Sequence, residues 1–444
     1  MNTPICDFVS EYNKNNTLRL HMPGHKGQGF LKVENRDITE IKGADSLFEA
    51  TSIIRESEQN ASEIFGAHTF YSTEGSSLCI RAMMYLVSLY AKKCHRAPLV
   101  LASRNVHKTF VSAAALCNID VEWLYAKDSS YLSCDIDVGT LDKKLSDMTT
   151  KPVAVYVTSP DYLGNVIDIK AISDICHKHS VLLIVDNAHG EYLKFLETSL
   201  HPIDLGADLC CGSAHKTLPV LTGGAYLHIS KNADSFFVSK AKASLSLFAS
   251  TSPSYLILQS LDYCNKYMYE KIRGELSAFS KIVCECKSEL KSYGYTLVGD
   301  EKLKITIATK EYGYTGTDFA QILRGYNIEC EFCDPDYVVL MLTPNTQKEG
   351  IDKLTCAMRN ITRKHPIVIK PPVMSNPVKV MSIKEAVFSD TMTAKVSDAV
   401  TKVLADMSLS CPPAVPILVS GEQIDESAVK AFEYYGINKI QIVK

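Results

Sequence analysis

The chain has 444 residues, of which 46% are hydrophobic and 22% charged, a composition typical of a folded globular protein and not of a disordered one. Its 47 Lys and Arg residues nearly balance 50 Asp and Glu residues, so the net charge of -3 indicates neither a nucleic-acid partner nor an anionic membrane. No apolar run approaches the roughly 20 residues that span a bilayer. Residues 1–16 lack the apolar core of a signal peptide, so the sequence predicts a cytoplasmic protein.

Fifteen cysteines are too few for a disulfide scaffold, and most are predicted to be buried, reduced thiols. The examples that lie in apolar runs are Cys79, Cys210, Cys211 and Cys356. The close pairs Cys284 with Cys286 and Cys330 with Cys333 are the ones to weigh as metal ligands. A zinc site needs four converging ligands, and the second pair lies in a stretch that alternates like a strand. The sequence therefore predicts no metal site.

From about residue 66 to residue 230, apolar strand-like runs alternate with amphipathic helical stretches. The predicted strands are Pro98–Ala102, Val121–Tyr125, Val153–Thr158, Val181–Val185, Asp208–Cys211 and Ala225–Ile229. Helices are predicted at Ser77–Lys92 and Ile169–His179. This alternation indicates βαβ units, hence an α/β fold with a mostly parallel sheet that binds its ligands at the carboxyl ends of the strands.

The second half of the chain changes pattern. It is helical from Tyr255 to Tyr293 with Gly274 as its breaker, then mixes strands and helices over 295–364, and the prolines of Pro366–Pro377 mark a linker. A short helix follows residue 382. The predicted domains are an N-terminal segment at 1–65, a large domain at 66–270, a small α+β domain at 271–365, and a linker with a C-terminal domain at 366–444.

Two residues that follow predicted strands have side chains suited to catalysis. Asp186 directly follows the strand Val181–Val185, and Lys216 follows the next strand in the segment Gly-Ser-Ala-His-Lys-Thr-Leu-Pro. A carboxylate and a lysine so placed fit pyridoxal phosphate (PLP). The lysine amine forms a Schiff base with this cofactor, and the carboxylate pairs with its protonated pyridine nitrogen. A lone loop lysine is usually only solvated, so Asp186 carries much of this interpretation.

A phosphate site is predicted where the segment Ser72–Ser77 meets a helix, because free N–H groups at a helix N-terminus favour anions. Gly75 allows a tight turn, and Ser76 and Ser77 offer hydroxyl and N–H groups. An ordinary serine cap is the alternative reading of this segment. Ser213 and His215 are placed to add phosphate contacts beside the lysine.

Three further residues are candidates around a bound ring. His107 follows the strand Pro98–Ala102 and is placed to stack on the ring, although a lone His at such a position often has no catalytic role. Ala188 would leave room against the other face. His189 is placed to reach the ring oxygen or the substrate.

Motifs along nearly the whole chain then resemble one family. They are Leu-His-Met-Pro-Gly-His-Lys-Gly (20–27), Asp-Ile-Thr-Glu-Ile-Lys-Gly-Ala-Asp-Ser-Leu (37–47), Phe-Gly-Ala-His-Thr-Phe-Tyr (65–71), Arg-Asn-Val-His-Lys (104–108), Asp-Asn-Ala-His-Gly (186–190), Ser-Ala-His-Lys-Thr-Leu-Pro (213–219), Ser-Thr-Ser-Pro-Ser-Tyr (250–255) and Pro-Pro-Ala-Val-Pro-Ile-Leu-Val-Ser-Gly-Glu (412–422). The chain resembles the Orn/Lys/Arg decarboxylases, in the short form of Gram-positive bacteria. That resemblance implies an aspartate-aminotransferase-like, fold type I PLP enzyme with a smaller α+β C-terminal domain.

The resemblance also assigns roles. It implies that Lys216 is the Schiff-base lysine, Asp186 the partner of the pyridine nitrogen and His107 the stacking residue. It also implies that the phosphate is bound by Ser76, Ser77, Ser213 and His215. Since the active site of this fold lies at a dimer interface, Thr251 is the candidate phosphate contact from the neighbouring subunit, and Glu422 is the candidate for the substrate's distal cation.

Some features depart from the family pattern. Glu74 places an acid beside the predicted phosphate, which the helix dipole must offset unless the side chain points away. Ala414 stands where the family usually has Gly. The first motif begins by residue 21, so the N-terminal wing of the large inducible members is not expected, and a dimer or tetramer is expected in place of a decamer.

The resemblance implies α-decarboxylation of arginine or lysine, less readily ornithine, to agmatine, cadaverine or putrescine. One alternative is another PLP enzyme: a cysteine desulfurase or selenocysteine lyase, which shares the Asp and Ser-x-His-Lys pattern but needs a mobile Cys, or an aminotransferase. A second alternative is a PLP-fold protein kept for binding or regulation. The intact Lys216, Asp186 and His107 argue against that last reading.

Overall fold

The computed structural model describes residues 1–126, 132–407, 410–411 and 415–444. Its helices are α1 (Pro4–Lys14), α2 (Ile53–Phe65), α3 (Gly75–Lys93), α4 (Lys108–Leu116), α5 (Val138–Asp147), α6 (Ile169–Lys178), α7 (Ala214–Thr217), α8 (Ser235–Ser246), α9 (Tyr255–Glu270), α10 (Ile272–Ser292), α11 (Gly316–Gly325), α12 (Gln347–Asn360), α13 (Ile383–Phe388) and α14 (Glu426–Tyr434). Its strands are β1 (His68–Ser72), β2 (Leu99–Ser103), β3 (Asp120–Leu124), β4 (Ala154–Thr158), β5 (Leu182–Asp186), β6 (Leu209–Gly212), β7 (Ala225–Ile229), β8 (Leu297–Val298), β9 (Lys304–Ala308), β10 (Phe332–Cys333), β11 (Tyr337–Met341), β12 (Thr391–Lys395), β13 (Ser410–Cys411), β14 (Val415–Pro416) and β15 (Lys439–Val443).

The first seven strands form a mostly parallel sheet in the order β1-β7-β6-β5-β4-β2-β3. Strand β5 runs parallel to β6, and β2 runs parallel to both β3 and β4. Strand β7 pairs antiparallel with β6 and with β1. The predicted α/β fold with a mostly parallel sheet is confirmed.

The predicted strands in this sheet were found because buried strands read as continuous apolar runs. All five residues of β2 and of β7 are buried, and the predicted bounds of β7 match the structure. Strand β1 was not predicted, because its sequence His-Thr-Phe-Tyr-Ser mixes polar and aromatic residues.

Short polar side chains define several helix starts. Asp137, Asp234 and Asp425 each precede a helix and accept a hydrogen bond from a backbone N–H in its first turn. Such caps satisfy donors that have no partner within the helix.

The described chain divides into two compact units. The first comprises Met1–His95 and Ile169–Glu275 and contains β1, β5, β6 and β7. Helix α3 packs on β6 and β7. Large side chains that are fully buried in this unit include Phe65, Tyr71 and Phe237.

The second unit comprises Arg96–Asp168 and Leu276–Lys444. It contains β2, β3 and β4, and a four-stranded antiparallel sheet in the order β10-β11-β9-β8. A further hydrophobic cluster gathers the C-terminal segment around Phe432, Ile424 and Ile440. The domain boundaries drawn from the sequence at 65, 270 and 365 stay a prediction.

Two expectations need correction. The helical stretch after Tyr255 is divided at Lys271 and not at Gly274, which lies in the first turn of α10. Cys356 was predicted to be buried, but it is exposed on α12, whose other face carries the buried residues. The fourteen cysteines whose side chains the structure describes are all free thiols. Within the described ranges, no helix combines the length and apolar character needed to cross a membrane.

Replacing Phe432 by Ala should lower the free energy of unfolding by about 3–5 kcal/mol, because it opens a cavity in the C-terminal cluster. Phe432 is 0% exposed there. Urea denaturation followed by circular dichroism measures the change. Phe388→Ala is the matched control, since Phe388 is 66% exposed; its effect should stay within about 0.5 kcal/mol. Equal effects of the two changes would contradict the packing described.

Candidate active site

Asp186 is the last residue of β5 and pairs in parallel register with Cys211 of β6. Its side chain is 2% exposed. Oδ1 accepts hydrogen bonds from the Ala188 N–H at 3.2 Å and from the Cys211 thiol at 3.7 Å. A buried carboxylate therefore lies at the carboxyl end of a central strand, where the sequence predicted it.

Lys216 lies in the short helix α7, which follows β6. A hydrogen bond of 2.9 Å joins its Nζ to Nε2 of His189, a residue that is 4% exposed. The sequence placed both residues near one ligand but did not predict their contact. The pair brings a titratable imidazole directly to the lysine amine.

The predicted phosphate loop is built from two segments of the first unit. Helix α3 begins at Gly75, whose φ of 72° suits glycine, and the Gly75 N–H donates to the Gly223 carbonyl at 2.7 Å. A Cβ on Gly223 would lie 2.7 Å from the Thr73 carbonyl oxygen, so only glycine permits this approach. A 2.9 Å hydrogen bond from the Ser213 hydroxyl to Ser76 joins the same segments.

Glu74, the acid that departs from the family pattern, is exposed and turned toward another segment. One of its carboxylate oxygens accepts a hydrogen bond of 2.7 Å from the Ser250 N–H. This contact explains how an acid is tolerated one residue before the loop's glycine.

The remaining residues predicted near the phosphate lie as follows. Ser77 is half-buried in the first turn of α3, and Thr251 is exposed. His215 Nδ1 makes a 2.9 Å hydrogen bond to the Gly224 carbonyl, which orients its ring. Ala414 lies outside the described residues.

His107 belongs to the second unit, where it is the N-cap of α4, the helix that follows β2. Its Nδ1 accepts a hydrogen bond from the Thr109 N–H at 3.1 Å and lies 2.9 Å from the Thr109 hydroxyl. These contacts hold the orientation of the imidazole ring.

Glu422 is 3% exposed and paired with a cation that the sequence did not predict. Its Oε2 accepts from Arg104 at 3.0 Å and from the Val419 N–H at 2.7 Å. Arg104 also donates to the Ile417 carbonyl and lies over the ring of Trp123. Burial raises the pKa of Glu422, and Arg104 opposes that rise.

Several buried polar atoms near strand ends have no hydrogen-bond partner. In the first unit these atoms belong to Asn187, which follows β5, and to Thr217. In the second unit they belong to Ser103, Asn105 and Thr158, at or just after the ends of β2 and β4. Native proteins rarely leave such groups unpaired, so these strand ends suit a polar ligand. Sequence reasoning missed all five, although for the four other than Thr217 a polar residue at or just after the end of an apolar strand was the signal.

Within the second unit, Asn105 and Thr158 line a cavity of about 300 Å³. Asp135, Asp161 and Asp300 also line it. Asp161 is engaged by Asn165, whose side-chain amide donates to it at 2.8 Å.

The fold is that of the fold type I PLP-dependent enzymes. The lysine decarboxylase of Francisella novicida has a TM-score of 0.81 to this structure at 16% sequence identity, covering 100% of this chain and 81% of that chain.

The model of the family "Orn/Lys/Arg decarboxylase, major domain" matches residues 3–297. The chain belongs to this family of decarboxylase enzymes, and the resemblance is confirmed. An arginine decarboxylase of Halalkalibacterium halodurans is 28% identical over 96% of this chain and 91% of its own length. One from Bacillus subtilis is 27% identical over 96% of this chain and 92% of its own length.

The residues present fit the cofactor that this family implies. The first unit offers a lysine amine, a buried carboxylate at a strand end, and a glycine-dependent loop at the start of α3. The unpaired amide of Asn187 and the unpaired hydroxyl of Thr217 lie in the same segments. A phosphate and a polar ring suit this set of groups.

Replacing Arg104 by Leu should destabilise the protein more at about pH 8 than at about pH 5. Without its cation, the buried Glu422 carboxyl has a still higher folded-state pKa. The pKa of this carboxyl is then higher in the folded protein than in the unfolded protein. Its contribution to stability is therefore present below the unfolded-state pKa and is lost as the pH rises through the folded-state pKa. The penalty should reach about 3–5 kcal/mol at high pH and shrink as the carboxyl is protonated.

Chemical denaturation at the two pH values measures this difference. The double variant Arg104→Leu/Glu422→Gln is the control and should lose the pH dependence. A penalty for Arg104→Leu that is the same at both pH values would show that the pair is not the source of the effect.

Proposed function

We propose that this protein is a PLP-dependent decarboxylase that removes the α-carboxyl group of a basic amino acid, with arginine as the first candidate. The observation that carries the proposal is the 2.9 Å contact of Lys216 with His189, in the unit that also buries Asp186. The two relatives named above are called arginine decarboxylases, which favours arginine. Lysine is the second candidate and ornithine the third.

PLP, when bound, supplies an electron sink for the charge left on Cα as carbon dioxide departs. In our proposal Lys216 anchors the cofactor through Nζ. Asp186 keeps a proton on the pyridine nitrogen, which maintains the electron demand of the ring. His107 covers one face of the ring, and the small Ala188 leaves room at the other.

We propose that the phosphate of PLP binds at the start of α3, where Gly75, Ser76 and Ser77 offer N–H and hydroxyl groups to an anion. Ser213 and His215 add contacts from the segment that carries the lysine. We propose that Thr251 reaches the phosphate of the neighbouring subunit, which its exposed position permits. A homodimer, or a dimer of dimers, is therefore the proposed assembly, and the cytoplasm is the proposed location.

The protein selects the bond that breaks by orienting the substrate's carboxyl group, because positioning supplies most of what a side chain can add here. After carbon dioxide leaves, a proton must return to Cα. Lys216 Nζ is the proposed donor, and His189 Nε2 resupplies that proton through the hydrogen bond between them.

Glu422 remains our candidate for the substrate's distal cation. Its carboxylate is buried and already binds Arg104, so a guanidinium or ammonium group would share it with that residue. Charge-assisted hydrogen bonds to a buried carboxylate are strong enough to select a cation.

The desulfurase alternative needs a thiolate on a mobile segment. Among the described residues, the exposed cysteines are Cys94, Cys284 and Cys356, at the end of α3 and within α10 and α12. Thiols fixed on helices do not favour that chemistry.

PLP-loaded protein incubated with arginine, lysine or ornithine should release the corresponding amine, one carboxyl group lighter than its substrate. Mass spectrometry of the products identifies both reaction and substrate. Lys216→Ala should form none of the amine, because it removes the cofactor's anchor. The proposal fails if no amine arises from any of the three amino acids.

Glu422→Gln should raise KM for the preferred substrate by about 10- to 100-fold, the value of a hydrogen bond to a charged group. Its effect on kcat should be smaller, because the distal group lies away from the bond that breaks. Glu426→Gln is the matched control, since Glu426 is an exposed residue of the same segment. An unchanged KM in Glu422→Gln, measured by steady-state kinetics, would remove Glu422 from the substrate site.

A further inference from the structure

A second group of reactive side chains lies in the core of the first unit. One ring nitrogen from each of His201 and His228 and the Cys210 Sγ all lie within 4.8 Å of one another. The three residues are 0% exposed. Cys210 of β6 and His228 of β7 are paired in antiparallel register, so the sheet itself holds two of the three groups.

Glu191 brings a carboxylate to the same place. It opens a 3-10 helix, Glu191–Phe195, and is 0% exposed. Its Oε1 lies 3.3 Å from His228 Nε2, and its Oε2 lies 3.6 Å from His201 Nε2. A Cβ on Gly212 would lie 1.3 Å from Glu191 Oε1, so glycine at this position makes room for the carboxylate.

Some of these buried atoms have no hydrogen-bond partner. They are both ring nitrogens of His201 and Oε2 of Glu191. His201 Nε2 and Glu191 Oε2 lie 3.6 Å apart, beyond hydrogen-bond distance, and leaving buried polar groups unpaired is unfavourable, so this group of atoms calls for an occupant.

We propose that His201, His228, Cys210 and Glu191 bind a zinc ion that has a structural role. Zinc takes nitrogen, thiolate and carboxylate ligands in a tetrahedron whose donor atoms are about 3.3–3.8 Å apart. The ligand atoms of His201, His228 and Cys210 already lie within 4.8 Å of one another, so side-chain shifts of about 1 Å would bring these three to that spacing. Glu191 would join them from the side of the two histidines, to which its carboxylate oxygens lie 3.3 and 3.6 Å away.

Charge supports the choice of a divalent cation. A thiolate and a carboxylate balance the two positive charges, and both imidazoles stay neutral, so the fully buried site carries no net charge. The Thr69 hydroxyl lies 2.9 Å from His228 Nδ1. Such a contact on the second ring nitrogen fixes the orientation of a metal-binding imidazole.

The proposed zinc site lies next to the segments that carry Lys216 and His189, which suits a structural role. Cys210 lies on β6, the strand that leads into Lys216, and Glu191 follows His189 after one glycine. Zinc would hold the two segments that carry the lysine and its histidine partner without touching the substrate. This proposal replaces the sequence-based prediction that the chain has no metal site.

The test measures metal in the full-length protein, expressed in zinc-supplemented medium and purified without chelators. Mass spectrometry of the metal should find one zinc per chain in the wild type. His201→Gln and Cys210→Ser should contain at least about tenfold less. Cys176→Ser is the matched control, because it alters a buried thiol of the same unit outside the group, and it should keep its zinc.

Cobalt substitution gives a readout that needs no variant, in case the variants do not fold. Wild-type protein expressed with Co²⁺ should show a thiolate-to-cobalt charge-transfer band, which requires a sulfur ligand. A wild type that contains neither zinc nor this band would overturn the proposal and leave a water molecule or a shared proton as the occupant. Unchanged zinc in both ligand variants would overturn it as well.

Discussion

The parallel pairing of β5 with β6 holds the first-unit residues of the site in place. It sets Asp186 beside Cys211, and the chain then runs through Gly212 and Ser213 to Lys216. A slip of one residue in either strand would turn its side chains to the opposite face and separate the carboxylate from the lysine segment. Both strands are buried and apolar along most of their length, so the core itself resists such a slip.

The buried polar groups discussed above fall into two groups, those that have a hydrogen-bond partner and those that have none. Glu422 belongs to the first group, because Arg104 and a backbone N–H donate hydrogen bonds to its buried carboxylate. At the strand ends, Asn187, Asn105 and Thr158 keep polar atoms without partners. Native proteins rarely leave such buried groups unpaired, so in each unit these atoms mark strand ends that suit a polar ligand.

The sequence predicted what depends on local pattern. Strand β7 was located from its apolar run. Asp186 was found because it directly follows such a run, and Lys216 because its segment follows the next one. The pairing of Arg104 with Glu422 was not predictable, because the two residues are 318 apart in the chain. No local spacing encodes the contact of Lys216 with His189 either, since a turn and a strand pairing create it together.

The exposure and direction of side chains were also not predictable from the sequence. The apolar surroundings of Cys356 predicted burial, but only one face of α12 is covered. The sequence left open whether the Glu74 side chain points toward the predicted phosphate or away from it, and the contact with Ser250 gives its direction. Side-chain direction follows from the packed structure, and residue type alone does not give it.

Following the carboxyl carbon of the substrate distinguishes decarboxylation from transamination. PLP-loaded protein would be given arginine labelled with ¹³C in its carboxyl group, and the gas and the products would be analysed together. We expect labelled carbon dioxide in the same amount as agmatine. Formation of the 2-oxo acid of arginine with the label retained would contradict it and indicate an aminotransferase.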